Sequence, residues 1–221
     1  MTTDERHELE VHADAEAVAR RAAEVIARSL GDGFAIAVSG GRTPWAMLEH
    51  LGATGLDWSR GGIWQVDEWI APEGHADRNL TGLLGSLPSE ARPIVRPMPV
   101  TEDDVDAAAR RYASELPDRF DVVHLGLGDD GHTASLVPGD PVLDATDRDV
   151  AVTGEYRGRR RMTFTFPLLD RSPFVVWLVA GSDKAAVLPL LLTSDPSIPA
   201  GRVRAERQLV IADEAAAAEM R

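Results

Sequence analysis

Residues 120–139 read FDVVHLGLGDDGHTASLVPG, an apolar run that leads into a glycine-rich loop. A short, continuous apolar run is typical of a strand that is buried on both faces of a parallel sheet. The loop glycines have the G-x-G-x-x-G spacing of dinucleotide-binding loops, which open a long helix. Pro138 and Gly139 leave room for about two helical turns at most. The stretch therefore predicts a buried strand with a functional loop at its end, and it disfavours a dinucleotide site.

Apolar segments of this kind recur and alternate with segments of helical periodicity. Strands are predicted at residues 34–38, 62–66, 120–127, 161–166, 174–180 and 207–212. Helices are predicted at residues 14–30, 101–116 and 182–192, from Pro44 onward, and at the C-terminus. The alternation predicts an α/β fold, a Rossmann-like open and mostly parallel sheet with helices on both faces. Since no linker rich in proline, glycine or serine divides the chain, residues 1–221 are expected to form a single domain.

The composition disfavours several classes of partner and site. The chain has 221 residues, of which 44% are hydrophobic, and a net charge of −13, which disfavours nucleic acid and anionic membranes as partners. The absence of cysteine excludes disulfides and thiolate metal sites and fits a cytoplasmic protein. The polar N-terminus is unlike a signal peptide, and the longest apolar run, residues 174–180, is too short to span a bilayer. A monomer is expected by default.

Four polar segments follow predicted strands. They are residues 39–43, 67–68, 126–132 and 181–184. In an open parallel sheet, ligands bind beyond the carboxyl ends of the strands. We therefore expect these four segments to meet in one site.

The segment SGGRTP, residues 39–44, has two interpretations of equal weight. Two glycines before a helix start can bring backbone N–H groups to a phosphate, or they can form an ordinary turn between a strand and a helix. The preceding AVSGG also resembles the nucleophile elbow G-x-S-x-G, with Ala37 in place of the first glycine. An elbow needs a helix directly after the serine, whereas Thr43 as N-cap and Pro44 as first helical residue place the start later. Ser39 is therefore expected to donate hydrogen bonds rather than to act as a nucleophile.

Acid–base chemistry is expected from two pairs of polar residues. Asp130 and His132 lie two residues apart in the glycine-bounded loop. Histidine is the usual general base near neutral pH, and a neighbouring carboxylate can orient it. A lone loop histidine is more often a surface residue, and it is the position at a strand end that favours a base. Asp67 and Glu68 could act as an acid or base, accept sugar hydroxyls or cap the next element, and the sequence leaves these roles open.

Two cationic features indicate an anionic ligand. Lys184 stands at a predicted helix start capped by Ser182, where a cation is misplaced unless an anion shares the site. The run YRGRRRMT, residues 156–163, concentrates four arginines in an acidic chain. Such a run is more often a solvated loop, but a protein of this charge needs local cations to bind an anionic metabolite. Arg161, at the predicted strand, is the arginine expected in the site.

These motifs together resemble the 6-phosphogluconolactonase family. That family carries S-G-G-x-T-P, D-E-R, D-x-N, G-x-G-x-D-G-H-T-A-S-L-F-P, R-x-T-x-T and G-x-x-K-A, and the corresponding segments here are 39–44, 67–69, 77–79, 126–138, 161–165 and 181–185. Two positions depart from the pattern, since Trp69 replaces an arginine and Val137 replaces a phenylalanine. The related glucosamine-6-phosphate deaminases have a catalytic glutamate where Val137 stands, so the resemblance favours a lactonase.

The resemblance implies the glucosamine-6-phosphate deaminase-like fold and hydrolysis of 6-phospho-D-glucono-1,5-lactone to 6-phospho-D-gluconate in the oxidative pentose phosphate pathway. His132 is the implied general base on water, with Asp130 as its orienting group and Asp67 beside them. The residues expected to bind the substrate or its phosphate are Ser39, Gly40, Gly41, Arg42, Thr43, Arg78, Asn79, Gly128, Gly131, Arg161 and Lys184. Arg78 is a candidate for the charge that is missing at Trp69. No cofactor and no metal are expected.

Two other functions stay open at this level. The loss of the arginine at Trp69 is compatible with a sensor that binds 6-phosphogluconate without turning over the lactone. Ser39 as a nucleophile would make the protein a serine hydrolase, which a fluorophosphonate probe would label.

Overall fold

The computed structural model describes residues 4–220 of the chain. Its strands are β1 (His7–His12), β2 (Ala35–Val38), β3 (Gly62–Gln65), β4 (Asp67–Trp69), β5 (Val95–Arg96), β6 (Val122–Gly126), β7 (Val150–Val152), β8 (Arg161–Phe164), β9 (Phe174–Val179) and β10 (Arg207–Asp213). Its helices are α1 (Ala15–Ser29), α2 (Arg42–Gly52), α3 (Asn79–Ser86), α4 (Val105–Ser114), α5 (Phe166–Asp170) and α6 (Leu188–Leu192). The first three residues and the last one, which include part of the predicted polar N-terminus, lie outside the described residues.

Seven strands form one sheet in the order β1-β10-β9-β6-β2-β3-β5, and every neighbouring pair in this sheet is parallel. Strands β4, β8 and β7 form a separate antiparallel sheet. The predicted α/β fold with a mostly parallel sheet is confirmed. The predicted strand at residues 161–166 exists as β8, but it belongs to the small sheet.

Hydrophobic residues cover both faces of the seven-stranded sheet. Ile36 and Val38 of β2 belong to a buried cluster that contains residues of α1, α2 and α3. Ala35 and Ala37 of the same strand belong to a second cluster, with residues of α4, α5 and α6. Because both faces are buried, the strand needs no polar alternation and reads as a continuous apolar run. The predicted placement of helices on both faces is therefore correct.

Two predicted helix starts are wrong. Helix α4 is capped by the side chain of Asp104, which accepts from the N–H of Ala107 at 2.8 Å, and not by Thr101. A carboxylate at the N-cap also interacts favourably with the helix dipole, which favours Asp104 over Thr101 as the capping residue. Helix α2 has Gly41 as its N-cap, two residues before the predicted Thr43. Pro44 then lies within the first turn, where the lack of an N–H costs nothing.

Two further segments differ from their prediction. Residues 182–192 do not form one helix, because Ser182–Lys184 is a single 3-10 turn and α6 begins only at Leu188. Pro189 in the first turn of α6 has no N–H with which to continue a helix from the preceding residues. After β10 the chain forms a 3-10 turn at Ala218–Met220 in place of the predicted C-terminal helix. The short elements β1, β4, β5, β7, α3 and α5 are not among the predictions.

The carboxylate of Glu68, in the middle of β4, is completely buried and accepts hydrogen bonds from every side. One oxygen accepts from the N–H groups of Trp69 and Asn79, both at 2.8 Å. The other accepts from Nε2 of Gln65 at 2.9 Å, from the N–H of Leu80 at 2.9 Å and from Nε of Arg78 at 3.3 Å. The carboxylate thus satisfies the first N–H groups of α3 and ties that helix to β4. Of the roles left open for Glu68, capping the next element is the one observed.

A second buried polar residue, His124, lies in the middle of β6. Its imidazole is fully buried and its Nδ1 accepts a hydrogen bond from the N–H of Ser39 at 3.2 Å. Burial lowers the pKa of His124 to about 3, because the charged form cannot be solvated there. The folded protein therefore holds this histidine neutral.

The hydrogen bonds of Glu68 predict that Glu68→Gln lowers the free energy of unfolding by roughly 2–4 kcal/mol, because an NH₂ group would face buried donors. Urea unfolding of the variant measures this loss. Glu73→Gln, at an exposed glutamate in the segment between β4 and α3, is the matched control and should change stability by less than about 0.5 kcal/mol. Equal stability of Glu68→Gln and the wild type would contradict the assigned role.

The buried histidine predicts a specific pH dependence of stability. The unfolded chain protonates His124 below its ordinary pKa of 6.5, whereas the folded chain does so only near 3, so stability is lost as the pH falls through this window. The stability difference between wild type and His124→Leu should shift by about 2 kcal/mol between pH 7 and pH 5, to the disadvantage of the wild type. Parallel pH profiles for the two proteins would contradict burial of a neutral imidazole.

Candidate active site

A cleft of about 450 Å³ lies beyond the carboxyl ends of β2, β6 and β9. All four predicted loop segments contribute to its lining, as expected for an open parallel sheet. The predicted site residues that line it are Ser39, Gly40, Gly41, Asp67, Asn79, Gly128, His132, Arg161 and Lys184. Further lining residues that sequence reasoning did not assign to the site include Trp69, Asp129, Arg157 and Asp183. Each of them had a signal in the sequence, since Asp129 and Asp183 belong to predicted loop segments and Arg157 to the arginine-rich run. Trp69 stands at the position of an arginine in the motif that the sequence resembles.

Asp130 and His132 form a tight pair at the edge of the cleft. Nδ1 of His132 lies 2.5 Å from Oδ1 of Asp130, and the same oxygen accepts from the N–H of His132 at 3.0 Å. The hydroxyl of Tyr156 donates to the other carboxylate oxygen at 3.3 Å. Burial raises the pKa of Asp130, but the two hydrogen bonds from His132 outweigh this and leave the pKa below its usual value. The ionised carboxylate fixes the proton of a neutral imidazole on Nδ1, which leaves Nε2 able to accept one.

The glycine-rich loop is shaped by the imidazole it carries. A Cβ at Gly128 would lie 2.0 Å from Nδ1 of His132, so no side chain fits at this position. The N–H of Gly128 donates to the carbonyl of His132 at 2.8 Å, and the N–H of Gly131 donates to the carbonyl of Gly128 at 3.1 Å. These bonds close the loop around the histidine. Gly131 therefore lies in the turn and does not line the cleft.

The turn at residues 39–41, called here the 39–41 turn, joins β2 to α2. The hydroxyl of Ser39 is buried and has no hydrogen-bond partner within residues 4–220, and Ser39 lines the cleft. Helix α2 starts with no side chain that caps its first N–H groups. A free hydroxyl beside uncapped N–H groups is suited to hold an anion. Ser39 lacks a neighbouring general base, because its histidine contact is through the backbone N–H, so the geometry does not support a nucleophile.

Asp67 faces the cleft from β4 and is held by two neighbours. The hydroxyl of Ser135 donates to its carboxylate at 2.6 Å, and Nδ2 of Asn79 donates to it at 3.3 Å and to its backbone carbonyl at 2.9 Å. Burial raises the pKa of Asp67, and the bond from Ser135 and the charge of Arg161 only partly oppose this. Gly40 lies against Asn79, since a Cβ at Gly40 would be 2.0 Å from Oδ1 of Asn79.

Arg161, the first residue of β8, reaches the cleft from the small sheet. Its guanidinium lies 3.6 Å from the centre of the Trp69 ring and donates to the hydroxyl of Ser135 at 3.3 Å. Its Nε is buried without a partner in the described part of the chain. Trp69 thus packs directly against a cleft cation, a contact that the sequence did not indicate.

Lys184 is the other predicted cation in the cleft, and it is the only lysine in the sequence. Its Nζ lies 2.8 Å from Oδ2 of Asp183, and its side chain is largely buried. The 3-10 turn that carries it starts at the end of β9. The predicted position at a strand end is therefore correct, although the helix expected there is absent.

Like Gly131, three other predicted ligand residues lie outside the cleft lining. Arg42 and Thr43 face a neighbouring cleft next to the start of α1. Arg78 is buried and paired with Glu68, so its charge is already used within the protein. It does not occupy the position that the sequence suggested as a substitute for the charge missing at Trp69.

The remaining arginines of the 156–163 run, Arg159 and Arg160, contact other residues at the protein surface. Arg159 contacts Nε2 of His75 at 3.2 Å and Asp77 at 3.7 Å. Arg160 donates to the carbonyl of Thr153 at 3.2 Å. For these two residues the interpretation as a solvated loop is the better one.

The described residues contain one group of side chains that could hold a metal ion. Asp129, Asp130 and His132 each place a ligand atom within 4.8 Å of the others. Asp130 and His132 already satisfy each other, so the geometry does not call for an ion there. The expectation that no metal is needed stays a prediction. In residues 4–220, no helix is both long and apolar enough to cross a membrane.

Comparison with known proteins places the chain in a family. The profile of the family described as "Glucosamine-6-phosphate isomerases/6-phosphogluconolactonase" matches residues 6–211. A 6-phosphogluconolactonase of Synechocystis is 36% identical over 193 residues, which are 79% of each chain. A crystal structure of 6-phosphogluconolactonase from Thermotoga maritima is 26% identical, with a TM-score of 0.80 over 94% of this chain and 98% of that one. A monomeric glucosamine-6-phosphate deaminase has the same fold, with a TM-score of 0.84 at 16% identity over 96% of this chain and 99% of that one. The chain belongs to the glucosamine-6-phosphate isomerase/6-phosphogluconolactonase family.

Proposed function

We propose that this chain hydrolyses 6-phospho-D-glucono-1,5-lactone to 6-phospho-D-gluconate, a step of the oxidative pentose phosphate pathway, with His132 as the general base. The enzyme class rests on the relatives, which are named as 6-phosphogluconolactonases. The observation that carries the assignment of the base is the Asp130–His132 pair at 2.5 Å. We also propose that the protein acts in the cytoplasm, as a monomer and without nucleic acid.

The pair can activate water without any further group. With its Nδ1 proton held by Asp130, His132 accepts a proton from water at Nε2 while the water oxygen attacks the lactone carbonyl. The resulting tetrahedral intermediate collapses with cleavage of the bond to the ring oxygen. The proton on Nε2 then passes to that departing oxygen, and the product is a carboxylic acid that ionises. The imidazole returns to its starting state, so atoms and charge balance over the cycle.

We distinguish two ends of the cleft by the charged side chains that lie at each. The guanidinium of Arg161 lies 5.2 Å from the centre of the Tyr156 ring, and the hydroxyl of Tyr156 donates to Asp130, so Arg161 lies at the end that carries the base. We assign it to the lactone carbonyl, where a cation stabilises the oxyanion. The N–H groups of Gly128 and Gly131 are already bonded within the loop and are not free for this task. The sequence analysis assigned Arg161 to the substrate or its phosphate, and of these its neighbours favour the reacting end of the substrate.

The phosphate is assigned to the opposite end. The 39–41 turn and the Ser182–Lys184 turn both line the cleft, and Lys184 pairs there with Asp183. Lys184 and the free hydroxyl of Ser39 then offer a cation and a donor beside uncapped N–H groups. Fixing this remote group orients the lactone carbonyl toward His132. Asp67 and Asn79, between the two ends, are left for the sugar hydroxyls.

The sensor hypothesis has less support than turnover. It depends on Trp69, which replaces the arginine of the D-E-R motif of the 6-phosphogluconolactonases. In this structure Trp69 holds Arg161 in the cleft, and the base with its orienting carboxylate is complete. A protein that only binds the sugar phosphate does not need that pair.

Replacement of the proposed base should abolish most catalysis. His132→Ala is expected to lower kcat by about 10²- to 10⁴-fold while 6-phosphogluconate still binds. The lactone is generated in place by glucose-6-phosphate dehydrogenase, and spontaneous opening is subtracted with a control that lacks the enzyme. His50→Ala, at a histidine paired with Glu16 away from the cleft lining, is the matched control and should keep full activity. Turnover by His132→Ala near that of the wild type would reject His132 as the base.

Loss of the lysine should weaken recognition of the phosphate. Lys184→Gln is expected to raise KM for the phosphorylated lactone by about 10- to 100-fold, with little effect on unphosphorylated glucono-1,5-lactone. Lys184→Arg keeps the charge, and its KM for the phosphorylated lactone should lie between the values of the wild type and of Lys184→Gln. Because the chain has no other lysine, peptide mapping separates labelling of this side chain by an amine-reactive reagent from labelling of the N-terminal amine, and 6-phosphogluconate should protect Lys184. Labelling unaffected by 6-phosphogluconate, with an unchanged KM in Lys184→Gln, would place the phosphate elsewhere.

A further inference from the structure

The strand that leads to the catalytic loop also carries a buried histidine that the proposed mechanism does not use. His124 lies in β6, paired in register with Val38 at the end of β2. Its Nδ1 accepts the N–H of Ser39 at 3.2 Å. Because a backbone N–H can only donate, Nδ1 is unprotonated and the neutral ring carries its proton on Nε2. The hydrogen bond therefore defines the tautomer of His124.

The opposite side of the ring has no partner. Nε2 of His124 is buried without a hydrogen bond within residues 4–220, and the residue is fully inaccessible. A buried N–H without an acceptor is destabilising, and an aliphatic side chain at this position would avoid that cost. The imidazole must offer a compensating interaction. The bond to Ser39 is the one that its surroundings provide.

We propose that His124 is a positioning residue for the phosphate end of the cleft, because its hydrogen bond with the N–H of Ser39 fixes the position of the 39–41 turn. Without an acceptor at Nδ1, the N–H of Ser39 would be buried and unpaired, and the turn would move to find a partner. The hydroxyl of Ser39 and the start of α2 would move with it. His124 thus connects β6, which leads into the loop that carries His132, to the 39–41 turn, which is proposed to hold the phosphate. The inference rests on the proposed function, in which the 39–41 turn holds the phosphate.

Three variants separate the acceptor from the volume of the side chain. His124→Leu removes the acceptor. His124→Asn places an amide oxygen near the position of Nδ1, whereas His124→Gln places its amide near Nε2. Thermal unfolding checks that each variant is folded, and calorimetric titration with 6-phosphogluconate measures binding. Steady-state kinetics with the phosphorylated and unphosphorylated lactones separate KM from kcat.

His124→Leu is expected to weaken 6-phosphogluconate binding and raise KM by about tenfold, with kcat and the hydrolysis of glucono-1,5-lactone nearly unchanged. His124→Asn should restore binding, and His124→Gln should not. Normal binding by His124→Leu, or equal losses in the Asn and Gln variants, would overturn the proposal. If His124→Leu fails to fold, the Asn and Gln pair decides alone.

The binding data also separate this inference from the proposed function. A wild type that binds 6-phosphogluconate but does not accelerate lactone opening would reject the lactonase. The pattern of binding among the His124 variants would still support or overturn the positioning role.

Discussion

The carboxylate of Glu68 accepts five hydrogen bonds inside the protein, from Gln65, Trp69, Arg78, Asn79 and Leu80. A buried charge is tolerated only when it is paired and fully hydrogen-bonded, and here both conditions hold. The consequence is geometric, because the first turn of α3 is fixed against β4. Asn79 is thereby held next to Asp67, and the turn that contains Gly40 packs against it. One side of the cleft depends on this single carboxylate.

The sequence predicted the five inner strands of the seven-stranded sheet, where burial dominates, and missed β1 and β5 at its two edges. The runs at 34–38, 120–127 and 174–180 are apolar because both faces of each strand are covered, and no other environment in a protein of this size explains them as simply. Once parallel strands are expected, their carboxyl ends must lie at one edge. That rule was enough to bring Ser39, His132 and Lys184 into one cleft.

The rest depended on contacts between residues far apart in the chain. Asp67 and Glu68 look equivalent in the sequence, but the pleat of β4 directs one to the cleft and the other to the interior. Arg78 matched a family segment, yet its guanidinium forms a buried ion pair with Glu68 and does not face the cleft. The stacking of Arg161 on Trp69 joins β8, which the sequence predicted, to β4, whose three residues are too few for a strand pattern to be recognised.

The role of the Asp130–His132 pair is tested most directly by the rate of lactone opening with Asp130→Asn, corrected for spontaneous opening. An asparagine keeps the shape of the side chain but lacks the negative charge that stabilises the imidazolium formed when His132 takes a proton from water. We expect kcat to fall by about 10²-fold or more, with 6-phosphogluconate still bound. An Asp130→Asn enzyme with the kcat of the wild type would show that the Asp130–His132 pair, short as it is, does not activate the water.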